Sequence, residues 1–158
     1  MSAAIFSVAA IALYAGHHAG DYWIQTDDQA RNKGLPGAGG RKACLRHVLS
    51  YTATQSAFLA VTALVLGVRW AFWPSTVALL VSGVTHYLAD RREHGLMVWL
   101  IRKLEPGMGK ATFARLGVPR GGHYDDNPCL GTGSGALDQS WHVVFGVFVP
   151  ALIIAGAS

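Results

Sequence analysis

From His47 to Val68 the chain contains no Asp, Glu, Lys or Arg. A run of that length and apolarity meets the ~20 residues needed to cross a bilayer. Within hydrocarbon every backbone N–H and C=O must find its partner inside the segment, so such a span is a helix. Three further stretches read the same way: Ala3 to about Ile24, Trp70 to Asp90, and Asp138 to Ala157. Pro74 falls in the first turn of the third, where a missing N–H is tolerated. The first and fourth are short of apolar residues, so they fit a bilayer by tilt or local thinning.

The chain has 158 residues, of which 14% are charged, against roughly 25% for a soluble domain. That is one domain's worth of chain with too little polar surface to enclose a water-soluble core. The sequence therefore predicts an all-α fold: a single membrane domain over residues 1–158, built as an integral membrane four-helix bundle. No Lys or Arg precedes the first apolar stretch, which argues for a retained span over a secretory signal.

Basic residues set the orientation. Arg31, Lys33, Arg41, Lys42 and Arg46 lie between spans one and two, and Arg91, Arg92, Arg102, Lys103, Lys110, Arg115 and Arg120 between spans three and four. Only Arg69 lies on the other side. The loops of about 26–46 and 91–137 are then cytoplasmic, with both termini outside. The net charge of +4 reads as topology and contact with anionic lipid, with no direct nucleic-acid partner.

The loops narrow the chemistry. Gly34 to Gly40 is a glycine-rich flexible turn without the Gly-Lys-Ser/Thr of a phosphate-binding loop. Asp27 and Asp28 precede it. Cys44 and Cys129 lack a CxxC partner, which removes zinc-ribbon chemistry, and a reducing compartment disfavours a disulfide. Gly95–Glu105 has the pattern of an amphipathic helix in the headgroup region or one packed beneath the bundle. The Gly- and Pro-rich stretch 117–135, with His123, Asp125 and Asp126, is long enough to form a lid.

The apolar spans carry their ionisable groups at one end. His17/Asp21, His86/Asp90 and Asp138/His142 are each four residues apart, a spacing that shares a helix face. His47 opens the second span. With alternating span direction, all seven residues reach the cytoplasmic level. One such pair alone is an ordinary helix-end ion pair, and Asp138 alone is an N-cap. Gathered at membrane depth with no Lys or Arg among them, the carboxylates need a positive charge, which a divalent cation supplies.

Imidazole with carboxylate and no thiolate suits zinc first, with manganese or iron as alternatives. Seven candidates fit two ions, or one ion with an outer layer of partners. Ferritin-like sites use Glu-x-x-His, and neither Glu93 nor Glu105 has that pattern. His18 turns about 100° from His17, which makes it a weaker ligand. Gln25 continues the His17/Asp21 face. Tyr51 and Gln55 extend the His47 face, for substrate or for hydrogen bonds between helices. Asp28, His123 and Asp126 are the candidate bases beside a metal-activated water. Lys33, Arg46, Arg91 and Arg92 are candidates to hold a phosphate at the bilayer surface.

The run His17-His-Ala-Gly-Asp21-Tyr-Trp-Ile-Gln25 resembles the opening motif H-x3-D-[FY]-x-[LI]-Q of an uncharacterised family of small bacterial integral membrane proteins. In that family a Lys follows, as Lys33 does, then a His opening the second span, as His47 does. A later H-x3-D matches His86 and Asp90. The resemblance covers spans one to three. The family is similar to the membrane-bound metal-dependent hydrolases of the LexA-binding inner-membrane type. More distantly, the motif is similar to that of zinc-dependent phospholipase C and P1-type nuclease. The resemblance implies that His17, Asp21, His47, His86 and Asp90 are ligands, with Asp138 and His142 completing the site. It also implies a bacterial inner-membrane location. The N-terminal Trp and the Glu ligand of the zinc phospholipases have no equivalent here.

The reading that follows is a membrane-embedded hydrolase of a lipid or lipid-linked phosphoester, working at the cytoplasmic interface. Two others stand beside it: a metal or proton transporter, and a membrane anchor with a structural metal. Ala15-Gly16 and Ala19-Gly20 permit close helix contacts within one chain or in a homo-oligomer.

Overall fold

The computed structural model describes residues 3–91, 95–120, 123–124 and 132–157, with backbone alone at 119, 120, 123 and 124. The described residues are helical apart from turns and one antiparallel pair of two-residue strands, β1 (Pro119–Arg120) and β2 (His123–Tyr124). Three helices are long and apolar enough to cross a membrane: α1 (Ala3–Ile24), α3 (Gly37–Leu66) and α7 (Gly133–Gly156). Between them lie α2 (Asp27–Asn32), α4 (Phe72–Asp90), α5 (Leu96–Met108) and α6 (Lys110–Ala114). The helix α4, expected as a fourth span, falls outside that set. Its 19 residues include Pro74, Ser75, Thr76, Ser82, Thr85, His86 and Asp90. Its polar groups towards the C-terminal end are used inside the protein: Ser82, His86 and Asp90 are buried.

The helix α1 packs against α3 and α7, and α4 packs against the same two. Their shared apolar core is built of Ala9, Leu13, Leu59, Ala78, Val147, Ala151 and Ile154. Small residues let the backbones approach. A Cβ on Gly16 would lie 2.9 Å from Gln55 Cα, and one on Gly20 would lie 3.0 Å from the Tyr51 ring. The Gly16–Gly20 face is therefore used within the chain, to seat α1 on α3.

Large apolar side chains point outward. Leu64 is 84% exposed, Trp73 73% and Ile11 71%. A water-soluble protein does not leave such a surface open. Tyr22 and Trp23 mark one end of this surface, Phe72 and Trp73 the other, as aromatic residues do at the two bilayer interfaces. Length and surface together make this a membrane protein.

Two boundaries differ from the sequence reading. The helix α3 begins at Gly37 and not at His47. Pro36 occupies its N-cap, and the glycines expected as a flexible turn form its first turn. The site needs a glycine at 40, because a Cβ there would sit 1.9 Å from the Leu35 carbonyl oxygen. At ~1.5 Å per residue, α3 is longer than the hydrocarbon core, so the segment carrying Arg41, Lys42 and Arg46 projects beyond it. The helix α7 begins at Gly133 and not at Asp138, capped by the Thr132 hydroxyl, which accepts from Gly135 N. The expected amphipathic segment is α5, which turns into α6 through Glu105. That carboxylate accepts from the Ala111 and Thr112 amides and from the Thr112 hydroxyl. The Thr112 hydroxyl bond holds the Glu105 carboxyl below its ordinary range.

Candidate metal centre

All seven His and Asp residues singled out in the sequence come together. Their donor atoms form three overlapping groups, each with separations within 4.8 Å: His17, Asp21 and His86; His47, His86 and Asp90; Asp90, Asp138 and His142. His17, His47, His86, Asp90 and His142 are buried. Asp21 has a side chain only 7% exposed. Buried His and Asp groups here could hold a metal ion.

The tightest part is a knot of four atoms. His47 Nε2 and His86 Nε2 face each other at 2.9 Å. Asp21 Oδ1 lies 3.1 Å from the first and 3.3 Å from the second. Asp90 Oδ2 lies 3.3 and 3.2 Å from the same two nitrogens. Only one proton fits between two facing imidazole nitrogens, so at least one lone pair joins two carboxylate oxygens in this space. The donor atoms of His47, His86 and Asp90, separated by 2.9, 3.3 and 3.2 Å, share a point about 2 Å from all three. Zinc–nitrogen and zinc–oxygen bonds are about 2.0–2.2 Å, whereas calcium needs about 2.3–2.6 Å.

His142 and His17 flank the knot with their tautomers fixed. A carbonyl only accepts, so His142 Nδ1 carries the proton it gives to the Asp138 backbone oxygen at 2.8 Å. His17 Nε2 likewise donates to Gln139 Oε1 at 3.2 Å. The other nitrogens, His142 Nε2 and His17 Nδ1, are buried and lack a hydrogen bond among the described residues. An imidazole anchored through its outer nitrogen, with the inner lone pair free, is how histidines are prepared for metals. The outer Nδ1 atoms of His47 and His86 have no such anchor among the described residues. Packing holds His86 instead, with the Tyr51 ring centroid 3.9 Å away.

Helix geometry aims these groups. The end of α1, Ala19–Ile24, is a π-helical turn that contains Asp21. A second π-helical turn, Val144–Phe148, follows His142 in α7. Its cause is Pro150, which cannot donate to the carbonyl of Gly146 and crowds it. Gln55 Nε2 and Ser82 Oγ donate to that carbonyl instead, at 3.0 and 2.9 Å. Ser82 also lies 2.7 Å from Gln55 Oε1 and 3.1 Å from the Tyr51 hydroxyl. This buried layer closes the centre on its membrane side.

Lys33 brings a cation into direct contact with the seven. Its Nζ lies 2.9 Å from Asp90 Oδ1, with both side chains buried. Arg91, a phosphate candidate in the sequence, donates to the carbonyls of Lys33 and Leu35 at 2.7 and 2.8 Å. It thereby fixes the chain that delivers Lys33.

The remaining candidates lie elsewhere. Arg46 is exposed, 3.9 Å from Asp28 Oδ2, and Asp28 also accepts from Asn32 Nδ2. Arg46 and Asp28 thus pair with each other. His18 stacks on Tyr22, on a different side of α1 from His17. Gln25 is half-buried, its Nε2 without a hydrogen bond among the described residues. Arg92, Asp125, Asp126 and Cys129, and the side chain of His123, fall outside the described residues.

Sequence reasoning missed Ser82 and Gln139. Ser82 is four residues ahead of His86, so extending that helix face would have found it, as it found Tyr51 and Gln55 from His47. Gln139 follows Asp138 and left no spacing signal. The chain matches no known family model, no curated protein and no solved structure.

Proposed function

We propose that this protein is a metal-dependent hydrolase embedded in a bacterial inner membrane, acting on a phosphoester at the cytoplasmic interface. The observation that carries the reading is the knot of His47, His86, Asp21 and Asp90, buried and spaced to suit one small divalent cation. In this reading α4 joins α1, α3 and α7 as a fourth span, with both termini outside. The concentration of basic residues in the two loops supports that orientation.

Zinc is the favoured ion, with manganese or iron as alternatives. His47, His86, Asp21 and Asp90 would hold it, with His17, His142 and Asp138 alongside. A divalent ion supplies Lewis acidity and acidifies a bound water, which suits attack on phosphorus. Lys33 neutralises part of the carboxylate charge. Asp138 lies where a proton could be taken up or released at the cytoplasmic edge, with 28% of its side chain exposed. Transport is disfavoured because the described membrane-side parts of the spans, 3–16, 48–66, 72–85 and 143–156, contain no Asp, Glu, Lys, Arg or His.

The test is hydrolysis of bis(4-nitrophenyl) phosphate by detergent-purified protein reloaded with zinc, manganese or iron. Activity is expected in wild type and absent from Asp90→Ala. An active Asp90→Ala variant that holds no metal would refute the reading.

A further inference from the structure

Two cavities run end to end along α5. The first, about 270 Å³, has Asp138, Thr132 and Ser134 on one side and Met97, Val98 and Ile101 on the other. The second, about 210 Å³, shares Met97 and Ile101 and continues past Leu104, Trp141, Val144 and Phe145. Asp138 belongs both to the first cavity and to the donor group it forms with Asp90 and His142. One end of this track therefore opens on the candidate centre and carries hydroxyls and a carboxylate. The other end is apolar and follows α7 into the spanning segment; Lys110 is its one charged lining residue among those described. Neither cavity alone reaches the roughly 300–1,000 Å³ of a ligand pocket, but joined they do. The helix α5 has no fully buried residue, as expected of a helix resting over a groove.

We infer that α5 and α7 form a binding track for a single-chain amphiphile. Its phosphoester head lies at the Asp138 end and its apolar chain lies between Ile101 and Phe145. The inference deepens the hydrolase reading and rests on it: it says from which side a membrane-borne substrate reaches the centre. A larger groove of about 400 Å³ between α3 and α4, lined by residues such as Val48, Leu80, Val84 and Tyr87, touches none of the seven His and Asp residues. It is an ordinary lipid-facing surface, and it serves as the internal control.

The probe is a single-chain alkyl phosphodiester with a diazirine at the chain end, crosslinked to the zinc-loaded protein in detergent and mapped by peptide mass spectrometry. Crosslinks are expected on 97–104 and 141–145. Excess unlabelled amphiphile should compete them away, and Ile101→Trp, which fills the shared wall, should reduce them at least ten-fold at unchanged metal content. Met97→Trp repeats the test from the same wall if Ile101→Trp does not fold. Crosslinks spread evenly over the lipid-facing residues, or equal on Leu80 and Val84, would overturn the track. Soluble phosphodiester hydrolysis by wild type, measured alongside, reports separately on the hydrolase reading.

Discussion

The Lys33 ammonium lies 2.9 Å from Asp90 Oδ1, while Asp90 Oδ2 faces the His47 and His86 imidazoles at 3.3 and 3.2 Å. One carboxylate thus joins a buried cation to the candidate metal centre. With neutral imidazoles, the Asp21 and Asp90 carboxylates of the knot outweigh the Lys33 ammonium. A divalent ion would add the positive charge that the knot lacks.

Lys33→Met keeps the length of the side chain and removes its charge. Breaking one side of a buried ion pair costs about 3–5 kcal/mol when the other charge stays unpaired. The metal-free variant should melt well below metal-free wild type. Bound metal should restore more stability to the variant than to wild type, since the carboxylates have lost their other cation. Thermal unfolding with and without chelator checks this; equal metal-induced shifts in the two proteins would contradict it.

Gln139→Ala removes the acceptor that fixes the His17 tautomer. Losing an outer partner of this kind typically costs 10–100-fold in metal affinity. A competitive chelator titration should show that loss, with His18→Ala unchanged because His18 stacks on Tyr22 away from the centre. Equal affinities for wild type and Gln139→Ala would remove His17 from the ligand set.

Gln55→Leu breaks the layer above the centre. Gln55 Nε2 donates to the carbonyls of Leu13 and Gly146, so the variant leaves buried acceptors short of donors. Each such loss costs about 1–3 kcal/mol. Stability should fall with the metal stoichiometry intact. A variant that loses its metal as well would place Gln55 in the site itself.

The helical fold and the seven-residue cluster were legible because both rest on local periodicity. Charge-free runs gave the helices, and the four-residue spacing put His and Asp on shared faces. What escaped was non-local. Nothing near Lys33 signals that its partner is Asp90, since the contact exists only because Arg91 pins the backbone at Lys33 and Leu35. The start of α3 at Gly37 was hidden by glycines, whose poor helix propensity is outweighed by the tight seat of Gly40 on Leu35. The π-helical turn in α7 follows from Pro150, yet only the tertiary structure shows Gln55 and Ser82 taking over the Gly146 carbonyl.

Orientation can be read by labelling. In spheroplasts, a cysteine introduced at Arg69 in a background without Cys44 and Cys129 should react with a membrane-impermeant maleimide. One introduced at Lys42 should react only after lysis. The reverse pattern would invert the proposed topology and place the centre outside.

The most direct measurement is the metal content of protein purified in detergent without chelators, read by mass spectrometry beside His86→Ala/Asp90→Ala. Wild type should carry close to one equivalent of zinc, manganese or iron per chain, and the double variant none. Wild type without tightly bound metal, or a double variant that keeps it, would contradict the account and return the His/Asp pairs to the role of buried ion pairs.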